Sequence, residues 1–440
     1  MERRGFVKEI GIGLIGFGTV GAGVVECLQK NGERMAARTG VKLVLRKIAD
    51  VDLDRDRGVK VDPAILTRDG NALLTDPSLD IIIELVGGTG FAKEVVLKAL
   101  QNGKAVVTAN KALLAEHGPA IFQLAAKKGL PVGFEASVAG AIPIIRAMRE
   151  GLVGNRFQRI YGILNGTCNF ILTKMEKEQV TFEHALKEAQ AAGYAEANPA
   201  LDIDGFDTAH KAVILASLAC GSPLPMKAVF VEGIRGLAKI DMEYAKGLGY
   251  RIKLLAVIKL ADDCVEVRVH PALIPADSLM ASVSGVFNAV MVDGDMAGQT
   301  MYYGRGAGRL PTGSAVVSDL ADIGMALASG VPPPPVFPAG VTAPACRSMG
   351  EVTNRFYIRL ALLDQPGVLG RIAAVFGSHS ISLASVMQKE TQTGRHVPVV
   401  LVTHRAKESD CLAALEEIGA MNVTNGPAVR MRIEDLGAEK

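Results

Sequence analysis

Short apolar runs alternate with helix-like periodicity over the first third of the chain. The runs that predict buried strands are Ile10–Ile15, Val41–Val51, Ile81–Val86, Ala105–Thr108 and Pro131–Glu135. The segments that predict helices between them are Gly18–Lys30, Phe91–Gln101 and Ala112–Lys128. Strands that alternate with helices are typical of a parallel sheet covered on both faces. We therefore predict an α/β domain over residues 1–134.

The pattern changes after residue 134. Helix-like segments at 143–151, 169–178, 181–192 and 205–220 mix with strand-like runs at 157–164, 251–260 and 264–270. This mixture predicts an α+β domain over residues 135–330. Four consecutive prolines, Pro332 to Pro335, favour extended polyproline geometry and predict a linker over residues 331–354.

The tail has a regular element order. Strand patterns at 356–363, 381–388, 397–403 and 428–433 alternate with helix patterns at 367–377 and 409–418. The order βαββαβ predicts a ferredoxin-like domain over residues 355–433.

Composition excludes several classes of protein. Hydrophobic residues make up 49% of the chain and charged residues 21%, and the net charge is only +2, so neither disorder nor strong electrostatic attraction to nucleic acid is expected. No run of about 20 apolar residues predicts a membrane-spanning helix. The 6 cysteines show no Cys-x-x-Cys spacing, which favours reduced thiols in a cytoplasmic protein over a zinc site or a disulfide framework.

A glycine-rich loop joins the first predicted strand to the first predicted helix. Its residues are Gly16, Phe17, Gly18, Thr19, Val20 and Gly21. In a βαβ setting this G-x-G-x-x-G pattern predicts a Rossmann-type dinucleotide site, with the pyrophosphate on the N–H groups at the helix start. The alternative is a strand–helix turn that binds nothing.

The sequence leaves the choice between NAD and NADP open. Asp50 follows the second strand, where a carboxylate favours the free ribose hydroxyl of NAD. Basic residues that could instead hold the 2′-phosphate of NADP lie nearby: Arg46, Lys47, Arg55 and Arg57.

Several segments together resemble the homoserine dehydrogenase family. They are the glycine loop, Thr108–Ala115, Glu135–Pro143, Gly162–Leu172 and Ala192–Lys211, and the resemblance runs from about residue 10 to 330. The tail, with Asp364–Ile372 and His379–Ser385, resembles an ACT domain. One segment departs from the pattern, because Arg305 and Gly313 stand where the family usually has proline and alanine.

The resemblance implies an NAD(P)-dependent interconversion of L-homoserine and L-aspartate 4-semialdehyde. Lys211 is the expected proton donor, and Asp207, one helical turn earlier, would orient its ammonium group. Spacing alone would equally fit a solvated ion pair. Lys111 is expected at the carboxyl end of a strand, between substrate and cofactor, although it could simply start a surface helix.

The remaining site residues are implied in the same way. Glu196 and Asp202 are expected to bind the substrate's ammonium group, near Tyr194, and Gly166 and Thr167 to donate hydrogen bonds to the substrate. The alternative is a solvated acidic loop. Gly306 is expected to return its backbone to the cofactor, where Arg305 could contact a phosphate.

A monovalent cation such as Na⁺ is a further expectation. Its ligands would be backbone carbonyls and one carboxylate, supplied by Glu135, Val138, Gly140 and Ile142, as in the family. The alternative is an interdomain hinge without an ion.

The tail implies regulation and assembly. ACT domains commonly pair and bind an amino acid, so threonine is the expected effector of a homodimer or homotetramer; a dimerisation module without an effector is the alternative. Two other functions stay open: an amino-acid sensor on an inactive dehydrogenase fold, and a nicotinamide enzyme with a different amino-acid substrate. Neither a nucleic acid nor a membrane is an expected partner.

Overall fold

The computed structural model describes residues 8–331, 334–388 and 396–437. Its strands are β1 (Lys8–Ile15), β2 (Val41–Ala49), β3 (Leu66–Thr67), β4 (Ile81–Glu84), β5 (Ala105–Thr108), β6 (Val132–Gly133), β7 (Phe157–Ile163), β8 (Phe230–Val231), β9 (Tyr250–Leu260), β10 (Cys264–Pro275), β11 (Phe287–Gly294), β12 (Gly298–Arg305), β13 (Ala345–Cys346), β14 (Thr353–Leu363), β15 (Leu383–Gln388), β16 (His396–Thr403), β17 (Ala406–Lys407) and β18 (Val429–Ile433). Its α-helices are α1 (Thr19–Thr39), α2 (Gly70–Thr75), α3 (Phe91–Gln101), α4 (Lys111–Lys128), α5 (Ile144–Arg146), α6 (Gly166–Glu178), α7 (Phe182–Ala191), α8 (Ala200–Ile203), α9 (Phe206–Cys220), α10 (Lys239–Gly247), α11 (Leu279–Ser282), α12 (Arg309–Ser329), α13 (Val368–Ser378) and α14 (Glu408–Gly419).

The chain divides into two compact units, each built from three segments. Unit 1 comprises Met1–Ile160, Ala209–Val229 and Phe287–Pro344, and unit 2 comprises Tyr161–Thr208, Phe230–Val286 and Ala345–Lys440. Among the described residues, no helix has both the length and the apolar character that crossing a bilayer requires.

Unit 1 contains a parallel sheet with the strand order β3-β2-β1-β4-β5-β6. This is the Rossmann order, in which the chain reverses direction across the sheet between β1 and β4. The strand interiors are fully buried, as at Ile12, Leu14 and Ile81, because helices cover both faces. The predicted Rossmann-type sheet is confirmed.

Helix α12 completes the core of unit 1, and the sequence did not predict it. Val316 and Leu320 are buried in the same apolar cluster as β1 and α1. A Cβ built on Gly313 would lie 2.7 Å from the backbone of Gly23 in α1. An alanine at this position would therefore push the two helices apart, which gives the departure at Gly313 a packing reason.

Unit 2 contains the predicted ferredoxin-like fold of the tail. Its strands follow the order β18-β14-β16-β15 and pair antiparallel. Helices α13 and α14 supply Ile372, Phe376 and Cys411 to a core shared with Phe356 and Ile358 of β14. The α/β class and the βαββαβ order are both confirmed.

The ferredoxin-like sheet is continuous with strand β10 of the same unit. Strand β18 pairs with β10 in parallel, with Ala272 opposite Arg432 and Leu273 opposite Ile433. Buried ion pairs reinforce this joint. Arg432 is fully buried and binds Glu408 through two nitrogens, and Arg268 lies 3.2 Å from Glu434.

Several elements differ from the expectation. Helix α1 runs to Thr39, well beyond the predicted end, and the elements β3, α2, α10, β11 and β12 were not predicted. Part of the predicted linker is ordered: Phe337 packs edge-on against Phe122 at 5.3 Å, and β13 pairs with β10. Pro332 and Pro333 lie outside the described residues.

Candidate functional site

The three glycines of the nucleotide loop have three different physical reasons. Gly16 has φ +99°, and a Cβ there would lie 2.6 Å from the carbonyl of Leu85. Gly21 packs its α-carbon against the carbonyl oxygen of Gly16, which lets α1 approach β1 closely. Gly18 faces open space, since a Cβ there would meet nothing within 4 Å. A tight turn, a close helix and an open approach fit a dinucleotide pyrophosphate.

Asp50 stabilises this loop. Its carboxylate accepts a hydrogen bond of 2.5 Å from the Phe17 N–H and lies 3.4 Å from the Arg57 guanidinium, which covers the Phe17 ring. The other three basic candidates for a 2′-phosphate have different surroundings. Arg46 pairs with Glu9, Lys47 pairs with Asp76, and Arg55 is exposed. Only Arg57, of the four, contacts the loop.

The carboxyl ends of β4 and β5 are tied together by a buried acid. Glu84 accepts a 2.7 Å hydrogen bond from the Thr108 hydroxyl and further bonds from the N–H groups of Val86 and Gly87. Lys111, half-buried, begins α4 directly after this point, at the edge where open α/β sheets bind ligands. Sequence reasoning missed Glu84. The signal that could have indicated a role for it is an acid at the end of an otherwise wholly apolar strand.

The predicted substrate segments of unit 2 meet at Asn165. The Asn165 side-chain amide donates to Asp202 at 2.7 Å and to Asp207 at 2.8 Å, while its oxygen caps α6 by accepting from the Cys168 N–H. We call Asn165, Asp202 and Asp207 the acid cluster. The structure thus brings together two of the four acids of the segment, and it adds an asparagine that the sequence prediction did not select.

The neighbouring candidates are arranged around the same helix start. The Thr167 hydroxyl donates to the Tyr194 carbonyl at 2.6 Å, and the Tyr194 ring lies 5.0 Å from the ring of Phe170. The hydroxyl proton of Thr167 is thereby engaged, so the donors that Gly166 and Thr167 offer are N–H groups of the first helical turn. Glu196 is exposed on the adjoining loop.

Asp207 and Lys211 occupy adjacent turns of α9 and are both buried. Asp207 is 4% exposed and Lys211 is 8% exposed. An exposed ion pair worth a few tenths of a kcal/mol would leave both side chains in water. The solvated alternative is therefore wrong, because burying two charges is costly unless they serve each other or a ligand.

The predicted cation loop shows a different use of Glu135. Its carboxylate accepts hydrogen bonds from the N–H groups of Ile145 and Arg146, at 2.8 and 2.9 Å. These bonds fix the orientation of the Glu135 carboxylate, and its role as a ligand of Na⁺ stays a prediction. The rest of the loop turns through Ala139 and Gly140, both with positive φ, and Gly140 packs on the Gly306 carbonyl.

Gly306 and Arg305 lie at the end of β12. The Asn288 side chain fills the place of a Cβ on Gly306, so only glycine fits there. The exposed Arg305 places its guanidinium 5.6 Å from the centre of the Phe287 ring.

A cavity of about 430 Å³ lies in unit 1, and neither the glycine loop nor Lys111 is among its lining residues. Its lining includes Phe122, Glu135, Arg149 and Asp319. Burial, together with the charge of Glu135, raises the pKa of Asp319 to about 8.

The sequence patterns of known families match almost the whole chain. The pattern described as "Homoserine dehydrogenase, NAD binding domain" matches residues 16–135, and "Homoserine dehydrogenase" matches residues 143–321. The homoserine dehydrogenase of Neisseria gonorrhoeae is 44% identical over 98% of this chain and 100% of its own length. The chain belongs to the homoserine dehydrogenase family.

Solved structures extend this result. The crystal structure of a homoserine dehydrogenase from Thiobacillus denitrificans aligns with a TM-score of 0.92 and 43% identity, over 98% of this chain and 99% of the other. A hyperthermophilic archaeal homoserine dehydrogenase in complex with NADPH aligns with a TM-score of 0.62 and 27% identity, over 72% and 97%.

Family membership settles the class of enzyme and the nature of the tail. This member of the homoserine dehydrogenase family is an NAD(P)-dependent oxidoreductase. Its residues 356–420 match the ACT domain, as the sequence predicted.

Proposed function

We propose that this chain interconverts L-homoserine and L-aspartate 4-semialdehyde with NAD(P). The observation that carries the proposal is the acid cluster, in which one buried amide holds two carboxylates beside the start of α6. Such a cluster suits a substrate with an ammonium group, because a cation offsets the repulsion between the carboxylates. The N–H groups at the helix start suit a substrate carboxylate. Together they describe an amino-acid substrate.

Binding and proton transfer fall to different residues. Asp202 and Glu196 bind the ammonium group, while Gly166, Thr167 and Tyr194 orient the rest of the amino acid. Lys211 donates a proton to the aldehyde oxygen as it becomes an alcohol, and accepts one in the reverse reaction. Asp207, one turn earlier on α9, orients the Lys211 ammonium, and Lys111 stabilises the developing negative charge on oxygen.

The glycine loop holds the dinucleotide. The pyrophosphate would be held by Gly16, Phe17, Gly18, Thr19, Val20 and Gly21, and Gly306 would contribute its backbone to the cofactor site. When bound, the nicotinamide supplies or accepts the hydride. The pairing of Asp50 with Arg57 offsets the acid's charge, so we propose that the ribose end accepts both NAD and NADP. Fluorescence titration with NADH and NADPH measures this directly; binding of only one of them would refute it.

One assay tests the reaction. Purified full-length chain is mixed with L-aspartate 4-semialdehyde and NADPH or NADH, and the loss of reduced-nicotinamide absorbance is followed. Semialdehyde-dependent oxidation is expected with at least one cofactor. No oxidation with either would overturn the proposed reaction and favour the amino-acid sensor.

We further propose that threonine inhibits the enzyme through the ACT domain. The turn before α13 supports this, because Gly367 has φ +85° and Asp364 accepts a hydrogen bond from Gln388 across it. Asp364→Ala should raise the threonine concentration needed for half-inhibition by at least tenfold. A point variant is preferable to truncation, since β18 is part of the β10 sheet. An unchanged inhibition curve would leave the tail as an assembly module.

We also propose a monovalent-cation site and an oligomeric state. A monovalent cation at residues Glu135, Val138, Gly140 and Ile142 would be held by backbone carbonyls and one carboxylate. Replacing sodium by choline salts at constant ionic strength tests whether activity depends on it. Light scattering on the full chain tests the homodimer or homotetramer.

A further inference from the structure

Asn165 is a buried side chain that has no role in the mechanism proposed above. It is 5% exposed and makes three side-chain hydrogen bonds, each of which constrains the others. Its oxygen accepts from the Cys168 N–H as the N-cap of α6, at 2.8 Å. Because one end of the planar amide is fixed by the helix, the NH₂ group must point at the two carboxylates.

The NH₂ group is matched to two acceptors. Each of its two protons serves one acid, Asp202 at 2.7 Å and Asp207 at 2.8 Å. The Asp202 oxygen and the Asp207 oxygen that accept these bonds therefore lie within roughly 6 Å of each other. At this distance each negative charge disfavours ionisation of the other carboxyl group. A neutral double donor between them keeps both ionised without itself neutralising either charge.

The backbone around Asp202 is also held in place. The Cys168 thiol donates to the Asp202 carbonyl at 3.2 Å, and the Ile234 N–H donates to the Ile203 carbonyl at 2.8 Å. Two further charged groups lie close in the sequence: Asp204 pairs with Arg235, and Lys211 lies one turn beyond Asp207 on α9. The amide of Asn165 is thus the shared element between the acid assigned to the substrate and the acid assigned to the proton donor.

We propose that Asn165 is a positioning residue that keeps Asp202 and Asp207 ionised together, so that substrate binding and proton-donor orientation depend on one amide. This inference rests on the proposed function for its consequence in catalysis. It acts through Asp202 and Asp207 and does not require contact between Asn165 and the substrate.

Two substitutions separate this role from helix capping. Serine and aspartate are both good N-caps, so Asn165→Ser and Asn165→Asp retain an acceptor for the Cys168 N–H. Serine removes the double donor, and aspartate replaces it with a third carboxylate. Asn155→Ser is the matched control, because Asn155 bonds only to backbone groups among its recorded partners, in a loop of unit 1.

The expected results differ for the three variants. Asn165→Ser should raise the KM for aspartate semialdehyde about 10- to 100-fold, the usual effect of losing hydrogen bonds to charged groups, and should lower kcat as well. Asn165→Asp should be worse at neutral pH and recover on acidification, because protonation restores one donor, while the serine variant should not recover. The Kd for NADPH, measured by fluorescence, should stay near the wild-type value in both variants. Tm should fall more in Asn165→Asp than in Asn165→Ser, because aspartate adds a third buried carboxylate. Asn155→Ser should keep wild-type kinetics.

The outcomes are distinguishable from failure of the proposed function. Wild-type kinetics in Asn165→Ser would overturn the positioning role while leaving the reaction in place. An inactive wild-type chain would overturn the reaction, and NMR titration of the aspartate carboxyl carbons would still decide the positioning role: loss of the amide must shift the titration of Asp202 or Asp207. If the serine variant fails to fold, the aspartate variant and its pH profile carry the test, and a profile of wild-type shape would refute the proposal.

Discussion

Unit 2 buries charge in two regions that are built in opposite ways. At the joint between β10 and β18, every buried cation meets carboxylates: Arg432 binds Glu408, and Arg268 meets Glu434 and Glu266. In the acid cluster, two carboxylates share one neutral amide. Opposite charges in contact offset each other, whereas two like charges around a neutral amide repel, so an ammonium group close to them is favoured. We infer that burial of charge alone does not mark a functional site; the balance of charge does.

The largest effect that would sharpen this comparison is expected on α9, next to the acid cluster. Lys211→Ala should lower kcat per folded molecule by about 10²–10⁴-fold, the usual contribution of a positioned acid–base group. Its loss of Tm should be smaller than at the joint, because Asn165 still donates to the buried Asp207. Steady-state kinetics and thermal unfolding measure both. Lys187→Ala, an exposed lysine of α7, is the control. Turnover equal to that of the control would remove Lys211 from the mechanism.

The opposite profile is expected at the joint. Glu434→Gln removes the negative charge that Arg268 and Lys259 contact at 3.2 and 2.9 Å, and Arg268 keeps only its contact with Glu266 among these pairs. Breaking a buried pair by removing one partner costs about 3–5 kcal/mol, so urea unfolding should show a large loss while kcat per folded molecule changes little. Asp54→Asn, which breaks the exposed pair with Arg68, should barely change stability. Similar losses in both variants would contradict the distinction.

A smaller effect is expected at Lys253, a buried lysine of β9 that donates hydrogen bonds to neutral oxygen atoms. Lys253 donates to the Val283 carbonyl at 2.5 Å and to Asn169 at 3.3 Å, and burial lowers its pKa to about 8. The folded state thus releases the Lys253 ammonium proton near pH 8, whereas the unfolded chain keeps this proton until about pH 10. Its contribution to stability is present at high pH and is lost as the pH falls through about 8.

Lys253→Met tests that sign. The free energy of unfolding of the wild-type chain should rise between about pH 8 and about pH 10 by more than that of the methionine variant, as measured by urea unfolding. Lys187→Met is the matched exposed control and should keep the wild-type slope. An identical slope in all three proteins would show that Lys253 stays charged in the fold.

Much of the fold could be predicted, for an identifiable reason. β5, α3 and the order of the ACT domain depend on short-range periodicity, and they form where the apolar spacing places them. Helix α12 was missed because Gly308, Pro311 and Gly313 interrupt its start, while its apolar face packs against α1 and strands of the parallel sheet, which are distant in the sequence. Helix α1 ran past its predicted end because its later turns are polar yet unbroken by proline.

The candidate site divides in the same way. The glycine loop was readable because its requirements are backbone requirements. Gly16 and Gly21 are limited by nearby backbone atoms, and Gly18 leaves an open approach. Glu84 and Asn165 were missed because their roles come from partners on other elements, such as Thr108 on β5 and Asp202 on α8. The contact of Glu135 with the start of α5 was likewise not predicted, and its role as a cation ligand stays a prediction.

By itself the sequence determined most elements of the α/β and ACT domains, their order and the chemical types present, since local periodicity and glycine spacing act over a few residues. Only the tertiary structure decided which charges are buried and which groups they contact. That choice depends on distances between segments far apart in the chain, where an amide rotated by a helix cap, or a strand added to a sheet edge, changes what a carboxylate can bind.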